Sequence, residues 1–384
     1  MIFCAIICEY NPLHAGHAYQ IAEAKRLSGA DAVLCVMSGN FVQRGEAAIL
    51  DKYTRAKHAV LAGADAVIEL PAAFATSCAE LFAKGGVKLL SSLPNVKYLS
   101  FGAETPNAEL FHQTAALLND EPTALKEGVK RGLAAGKSLV RARADALGEI
   151  ADNSLLLSPN DTLGVEYARA VHSMNADIKL LPVQRLGAGY HDKQASGEYP
   201  SATSIREKLK TGEDISALSV PDFVRKDLKS AKDYTAALTL MENHAALSAA
   251  ASELAKTVDC GEGLENAVKK SLANGLPVVE SLTSARYTSS RIRRILLQNL
   301  LHVTREKVFS ALECPLYLRL LAAKKSPELL SALSQGEYPL LVRGADEPAL
   351  SQQAADCYET DLYAQSVYTL LSGEPPKKTI LLDE

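Results

Sequence analysis

Ile7-Cys8-Glu9-Tyr10-Asn11-Pro12-Leu13-His14-Ala15-Gly16-His17-Ala18-Tyr19-Gln20 decides the reading of this chain. The apolar run Ile2–Cys8 has the length of a strand buried on both faces. Asn11 and Pro12 favour a turn after it, and the residues from Gly16 to about Leu27 have helical texture. Residues three apart on a helix share a side, so His14 and His17 can face one ligand at the helix start. A helix N-terminus offers free backbone N–H groups and partial positive charge, which suits a phosphate chain. Gly16 carries no side chain to block that approach, and two imidazoles can donate to charge developing on phosphate oxygens. Two histidines at this spacing are also compatible with metal ligation. No third Cys or His follows at ligand spacing, so no metal site is expected.

Further along, Ala32–Met37, Ala66–Leu70, Tyr98–Phe101 and Asp177–Val183 read as strands, and Tyr53–Leu61 and Cys78–Leu90 as helices between them. Such alternation predicts an α/β fold, a Rossmann-like doubly wound parallel sheet. Gly29-Ala30-Asp31-Ala32-Val33 returns as Gly63-Ala64-Asp65-Ala66-Val67, each with a helix before it and a strand after it. We read these as two equivalent joints of one sheet. After about Lys210 the texture changes to Ala, Leu, Lys and Glu, and helices are expected over Tyr234–Lys256, Leu264–Leu272, Ser289–Leu301, Glu306–Ala323 and Pro327–Leu333. The predicted division is a nucleotide-handling Rossmann-like domain over 1–212 and a mainly α-helical domain over 213–384. The last ten residues, with Pro375, Pro376, Lys377 and Lys378, read as a loosely held tail.

Length and composition agree with this reading. At 384 residues two domains are expected. A hydrophobic fraction of 47% and a charged fraction of 22% exclude a largely disordered chain. Net charge is −4, so any nucleic-acid surface must be local. The apolar N-terminal run ends at Glu9, far short of the about 20 residues a membrane span needs. The seven cysteines form no C-x-x-C pair, and Cys4, Cys8 and Cys35 lie in apolar runs. A reduced, cytoplasmic protein is expected.

One local basic surface stands out. Ser281 to Arg305 holds Arg286, Arg291, Arg293, Arg294 and Arg305 with Tyr287 among them and no acidic residue. In an acidic chain, a block without counter-charge points to a polyanion such as RNA. Arg291 and Arg294 fall on one helix face, with Ile292, Ile295 and Leu296 turned to the core. Lys52, Arg55 and Lys57 are equally compatible with an RNA contact and with a solvated helix face. Gln43 and Arg44, in the loop Ser38–Glu46, are candidate substrate-loop residues.

Asn11-Pro12-Leu13-His14-Ala15-Gly16-His17 resembles the first signature of the nucleotidyltransferase superfamily with "HIGH"-type motifs. Ser201-Ala202-Thr203-Ser204-Ile205-Arg206 is similar to its second. With Met37–Glu46, Val67–Pro71, Phe101–Glu104, Ser158–Asp161, Gln184-Arg185 and Tyr287–Arg294, nearly the whole chain resembles the bacterial tRNA(Met) cytidine acetate ligases. That resemblance implies ATP contacts from Ile7 to Gln20 and at Gly102, Asn160, Arg185, Ser204 and Arg206, with His14 and His17 as catalytic residues. It implies acetate activation by ATP, with Mg²⁺ bridging the phosphates, and acetyl transfer to the wobble cytidine of elongator tRNA(Met). Arg286, Tyr287, Arg291, Arg293 and Arg294 would meet the tRNA. A Lys-rich loop of the class I synthetase type is missing, which leaves phosphate work to Arg206, Arg185 or Arg44. A small-molecule adenylyltransferase of the same superfamily and an RNA-binding protein with structural ATP are the alternatives.

Overall fold

The computed structural model describes residues 1–186, 201–343, 346 and 350–383. Its strands are β1 (Phe3–Cys8), β2 (Ala32–Ser38), β3 (Phe41–Val42), β4 (Glu46–Ala47), β5 (Ala66–Leu70), β6 (Val96–Ala103), β7 (Lys179–Gln184), β8 (Leu318–Lys324), β9 (Leu340–Leu341) and β10 (Ile380–Leu382). β3 and β4 form a separate hairpin. The main sheet runs β10-β8-β5-β2-β1-β6-β7, with β9 beside β8. Neighbours are parallel except β5 and β8, which are antiparallel. The chain therefore moves outward from β1 through β2 and β5, then returns to the other side of β1 with β6. That reversal opens a crevice at the carboxyl ends of β1 and β6, where open α/β sheets bind ligands.

Alternation along β1 explains how the sheet is held. Phe3, Ala5 and Ile7 enter the core on one face, and Cys4, Ile6 and Cys8 enter the core on the other. All seven cysteines are free, with Cys4, Cys8 and Cys35 buried as expected. The repeated Gly-Ala-Asp-Ala-Val joints do one job twice. Asp31 Oδ2 accepts from Ile2 N at 2.6 Å, and Asp65 Oδ2 accepts from Val33 N at 2.7 Å. Each carboxylate thus satisfies an N–H at the entry of the neighbouring strand.

The helical region has a small core of its own, built from Ala246, Leu254, Cys260, Leu264, Val268, Val278, Ile292, Ile295 and Leu296. Two expectations fail beyond it. Glu306–Ala323 is not one helix: a helix spans Arg305–Glu313, and β8 follows. Leu318, Leu320, Leu321, Ala322 and Ala323 are buried between β5 and β10, and tertiary pairing overrides their helical preference. The tail is not loose either. Lys377 Nζ donates to Asp51 Oδ2 and Thr54 Oγ1, both at 2.7 Å, and β10 pairs with β8. The sheet therefore takes strands from both sides of residue 212. No described helix is long and apolar enough to cross a membrane.

Candidate active site

β1 delivers the chain to the crevice at Cys8, and the next six residues form a tightly held turn. Tyr10 adopts φ 47°, and the Asn11–Pro12 bond is cis. Asn11 Oδ1 accepts from Ile49 N at 3.0 Å. Beneath the turn lies Arg55, fully buried on the helix Lys52–Leu61. Its guanidinium donates to the carbonyls of Glu9, Ser38 and Gly39, and its Nε to Leu50 O at 3.0 Å. One planar cation therefore ties the exits of β1 and β2 together.

His14 is the N-cap of the helix Ala15–Ser28, and its Nδ1 accepts from Gly16 N at 3.1 Å. With Nδ1 accepting, the neutral ring carries its proton on Nε2 and can donate it outward. His17 stacks on His14 with ring centroids 3.7 Å apart. Tyr10 packs against His17 with ring centroids 4.9 Å apart. Burial, helped by the charge of Arg185, lowers the His14 pKa to about 4. Burial also lowers that of His17, with His14 and Arg185 adding to the effect. Both rings are neutral at neutral pH, and His17 Nδ1 is buried without a hydrogen-bond partner.

The other wall comes from β6, β7 and the helix Pro159–Ser173. Gly102 is next to last in β6, and a Cβ there would stand 3.3 Å from Arg185 Cγ. Arg185 Nε lies 3.6 Å from Glu104 Oε1. Asn160 Nδ2 donates to Glu104 Oε1 at 2.7 Å, and Ser158 Oγ to Glu104 Oε2 at 2.8 Å. Partial burial alone would raise the Glu104 pKa, but bonds from Asn160 and Ser158 and the Arg185 charge hold it below the usual carboxylate value. Glu104 thus gathers Asn160 and Arg185, expected separately as site residues, into one cluster. In sequence Glu104 stands out only as part of Phe101–Glu104, with no role of its own, because its partners lie over 50 residues away.

The second signature closes on the first. Ser201 caps the helix Ala202–Thr211 by accepting from Ser204 N at 3.0 Å. Arg206 Nη1 donates to Asn11 O at 2.8 Å, so the two motifs touch directly. Arg44 Nη1 donates to Thr203 Oγ1 at 3.3 Å, which brings the loop Ser38–Glu46 to the same place. Ser204 Oγ is turned back onto Ser201 O at 2.8 Å. In the loop itself, Gln43 N donates to Glu9 Oε1 at 2.7 Å, and Gln43 Nε2 is buried without a partner. Burial raises the Glu9 pKa, against the bond from Gln43 and the charges of Arg44, Arg55 and Arg206.

Two expectations about basic residues need correction. Lys52 and Arg55 are neither RNA contacts nor a solvated face, since both are buried. Lys52 Nζ pairs with Glu69 at 2.6 Å, and Arg319 Nη1 from β8 lies 3.3 Å from the same carboxylate. The arginine block also has counter-charges, supplied from outside it. Arg286 Nε donates to Glu262 Oε2 at 2.8 Å, and Arg291 Nη1 to Glu262 Oε1 at 3.4 Å. Tyr287 donates to Glu262 as well, at 3.3 Å, beneath both guanidinium groups. Arg294 pairs with Asp259 at 2.9 and 3.1 Å and also donates to Gln43 O at 3.3 Å. Arg305 donates to Cys260 O at 2.9 Å. Ile292, Ile295 and Leu296 are buried as expected, so the helix Ser289–Leu300 does present its arginines away from its core. Among the described residues no group of three His, Cys, Asp or Glu is arranged to hold a metal ion.

The family model for HIGH Nucleotidyl Transferase matches residues 1–380. The tRNA(Met) cytidine acetate ligase of Caldanaerobacter subterraneus subsp. tengcongensis is 38% identical over 380 residues, covering 95% of this chain and 94% of that protein. The Acetivibrio thermocellus protein of the same name is 33% identical, with 93% of both chains covered. Among solved structures, apo Thermotoga maritima TmcAL superposes with a TM-score of 0.90 at 26% identity, over 100% of both chains. The crystal structure of the same protein bound with alpha-thio ATP gives 0.88 over the same span.

Proposed function

Because the chain belongs to the HIGH nucleotidyltransferases, and among them to the tRNA(Met) cytidine acetate ligase family, we propose that it uses ATP and acetate to acetylate the wobble cytidine of elongator tRNA(Met). It is a ligase. The observation that carries the reading is the stacked His14–His17 pair at a helix start, facing Arg185 across the crevice where the strand order reverses. In this reading ATP occupies the turn from Ile7 to Gln20; the solved relative bound with alpha-thio ATP supports nucleotide binding as such.

An acetate oxygen attacks the α-phosphorus and pyrophosphate leaves, giving enzyme-bound acetyl-adenylate. The exocyclic amine of the cytidine then attacks the acyl carbon, loses a proton and displaces AMP. His14 donates from Nε2 to phosphate oxygen, and Arg185 faces the same charge from the opposite wall. Gly102 keeps its wall free of a side chain. Arg206, anchored to Asn11 O, and Arg44, anchored to Thr203, hold cationic charge at the helix 202–211 side. The protein contributes positioning and charge rather than a covalent step. Among the described residues no cluster builds a resident metal site, and Mg²⁺ would arrive with the triphosphate as its counter-ion.

The test is incubation with ATP, labelled acetate and bulk tRNA, followed by nucleoside mass spectrometry. N-acetylcytidine confined to tRNA(Met) is the expected product. AMP transfer to a small phosphate compound with no labelled RNA would instead establish an adenylyltransferase. Unchanged product formation by His17→Ala would remove the imidazole pair from the mechanism.

A further inference from the structure

Of the four arginines from Arg286 to Arg294, three take their carboxylates from Asp259 and Glu262, close by in the helical region. Arg293 differs. Its Nη1 reaches Glu46 Oε1 at 3.0 Å, on β4 of the small hairpin. The other oxygen of Glu46 lies 3.5 Å from Arg206 Nη2. Arg206 in turn donates to Asn11 O at 2.8 Å, inside the ATP turn. One carboxylate therefore stands between the arginine-bearing helix and the first signature motif. The hairpin and the helix meet without slack. Gly45 has φ 75°, and a Cβ there would stand 2.7 Å from both Arg293 Cβ and Arg294 N. From the helical side, Arg293 is also the charge that faces buried Glu242.

We propose that Glu46 is a positioning residue for acetyl transfer to RNA: it sets the register between the helix that carries the tRNA and Arg206 at the ATP turn. This rests on the function proposed above. Glu46 touches no substrate in this scheme. Activation of acetate takes place within the ATP crevice, and binding of RNA on the arginine face. Transfer needs both at once, with the cytidine amine aligned on the acyl carbon. A displacement of about 1 Å between two reacting groups can cost about a hundredfold in rate. Glu46 is one-third exposed, so loss of its charge should leave the fold intact.

Glu46→Gln keeps the shape and removes the charge. Acetate-dependent ATP–pyrophosphate exchange and the Kd for tRNA should each stay within about threefold of wild type, while single-turnover transfer to tRNA falls by about tenfold or more. In a double-mutant cycle, Arg293→Gln should cost transfer less in the Glu46→Gln background than in wild type. Transfer by Glu46→Gln at the wild-type rate overturns the proposal. A parallel fall in exchange, binding, transfer and melting temperature also overturns it, since that marks a purely structural residue. If the wild-type protein transfers no acetyl group, the function reading fails and this inference falls with it. If wild type transfers and Glu46→Gln equals it, this inference fails alone.

Discussion

Arg294→Met separates a structural arginine from an RNA-binding one. Arg294 is 12% exposed and Asp259 8%, and they share two hydrogen bonds of 2.9 and 3.1 Å. Methionine keeps much of the packing volume but leaves the Asp259 carboxylate with Gln298 Nε2, at 2.8 Å, as its remaining side-chain donor. Removing one partner of a buried pair costs about 3–5 kcal/mol, because the other charge is left uncompensated. Against a total stability of about 5–15 kcal/mol that is a large fraction. With a urea slope of about 3 kcal/mol per molar, the midpoint should fall by about 1–1.7 M. Asp259→Asn breaks the same pair from the other side and should fall comparably. The double variant Arg294→Met with Asp259→Leu should recover part of the loss, because it leaves no orphan charge. For RNA, the slope of log affinity against log salt should not change in Arg294→Met, whereas each true phosphate contact removed lowers it by about 0.7. The assays are urea unfolding followed by far-UV circular dichroism and filter binding of tRNA across salt concentrations. A midpoint within about 0.2 M of wild type, together with a flatter salt slope, would refute the reasoning and return Arg294 to the RNA.

Three further outcomes follow from the same geometry. ATP beside His14 should favour its imidazolium, so nucleotide binding near pH ~5 should take up a proton, measured by calorimetry in buffers of different ionisation enthalpy and lost in His14→Ala. No uptake would place the phosphates away from His14. Asp361 is fully buried, and burial, with the Glu69 charge second, raises its pKa from 3.8 to about 7. The folded chain then holds a proton that the unfolded chain releases, so this group's contribution to stability declines as pH rises from 3.8 to about 7 and is flat above. Asp361→Asn should remove that decline from urea midpoints measured across the window, and an unaltered pH profile would exclude Asp361 as its source. Deleting residues 377–384 removes β10 and the Lys377 bonds to Asp51 and Thr54, and should lower the melting temperature by several degrees. A free tail would make the deletion silent.

Much of the site was legible because its information is local. A strand, a turn with Asn11 and Pro12, and two histidines at helical spacing lie within 17 residues of the start, and neighbours in sequence are neighbours in space there. The helix face of Ser289–Leu300 was legible for the same reason, since a 3.6-residue period sorts Ile292 and Ile295 from the arginines. Charge partners were not legible. The block from Ser281 to Arg305 contains no acid, yet Glu262, Asp259 and Glu46 arrive from elsewhere and pair with four of its arginines. Lys52 and Arg55 look like a solvated stripe in sequence because their burial depends on β8 and on the exits of β1 and β2.

The sequence alone determined the parallel core of β1, β2, β5, β6 and β7 and the strand, turn and helix start that carry His14 and His17. These depend on hydrophobic periodicity, turn chemistry and helix capping, each set by residues a few positions apart. Only the tertiary structure decided that Leu318–Lys324 joins the sheet as an antiparallel strand, that the C-terminal residues are pinned beside it, and which arginines remain half-exposed. A run such as Leu-Arg-Leu-Leu-Ala-Ala-Lys satisfies helix and strand alike. Its choice follows from open backbone hydrogen-bonding groups along the edge of β5, which belong to a segment some 250 residues earlier.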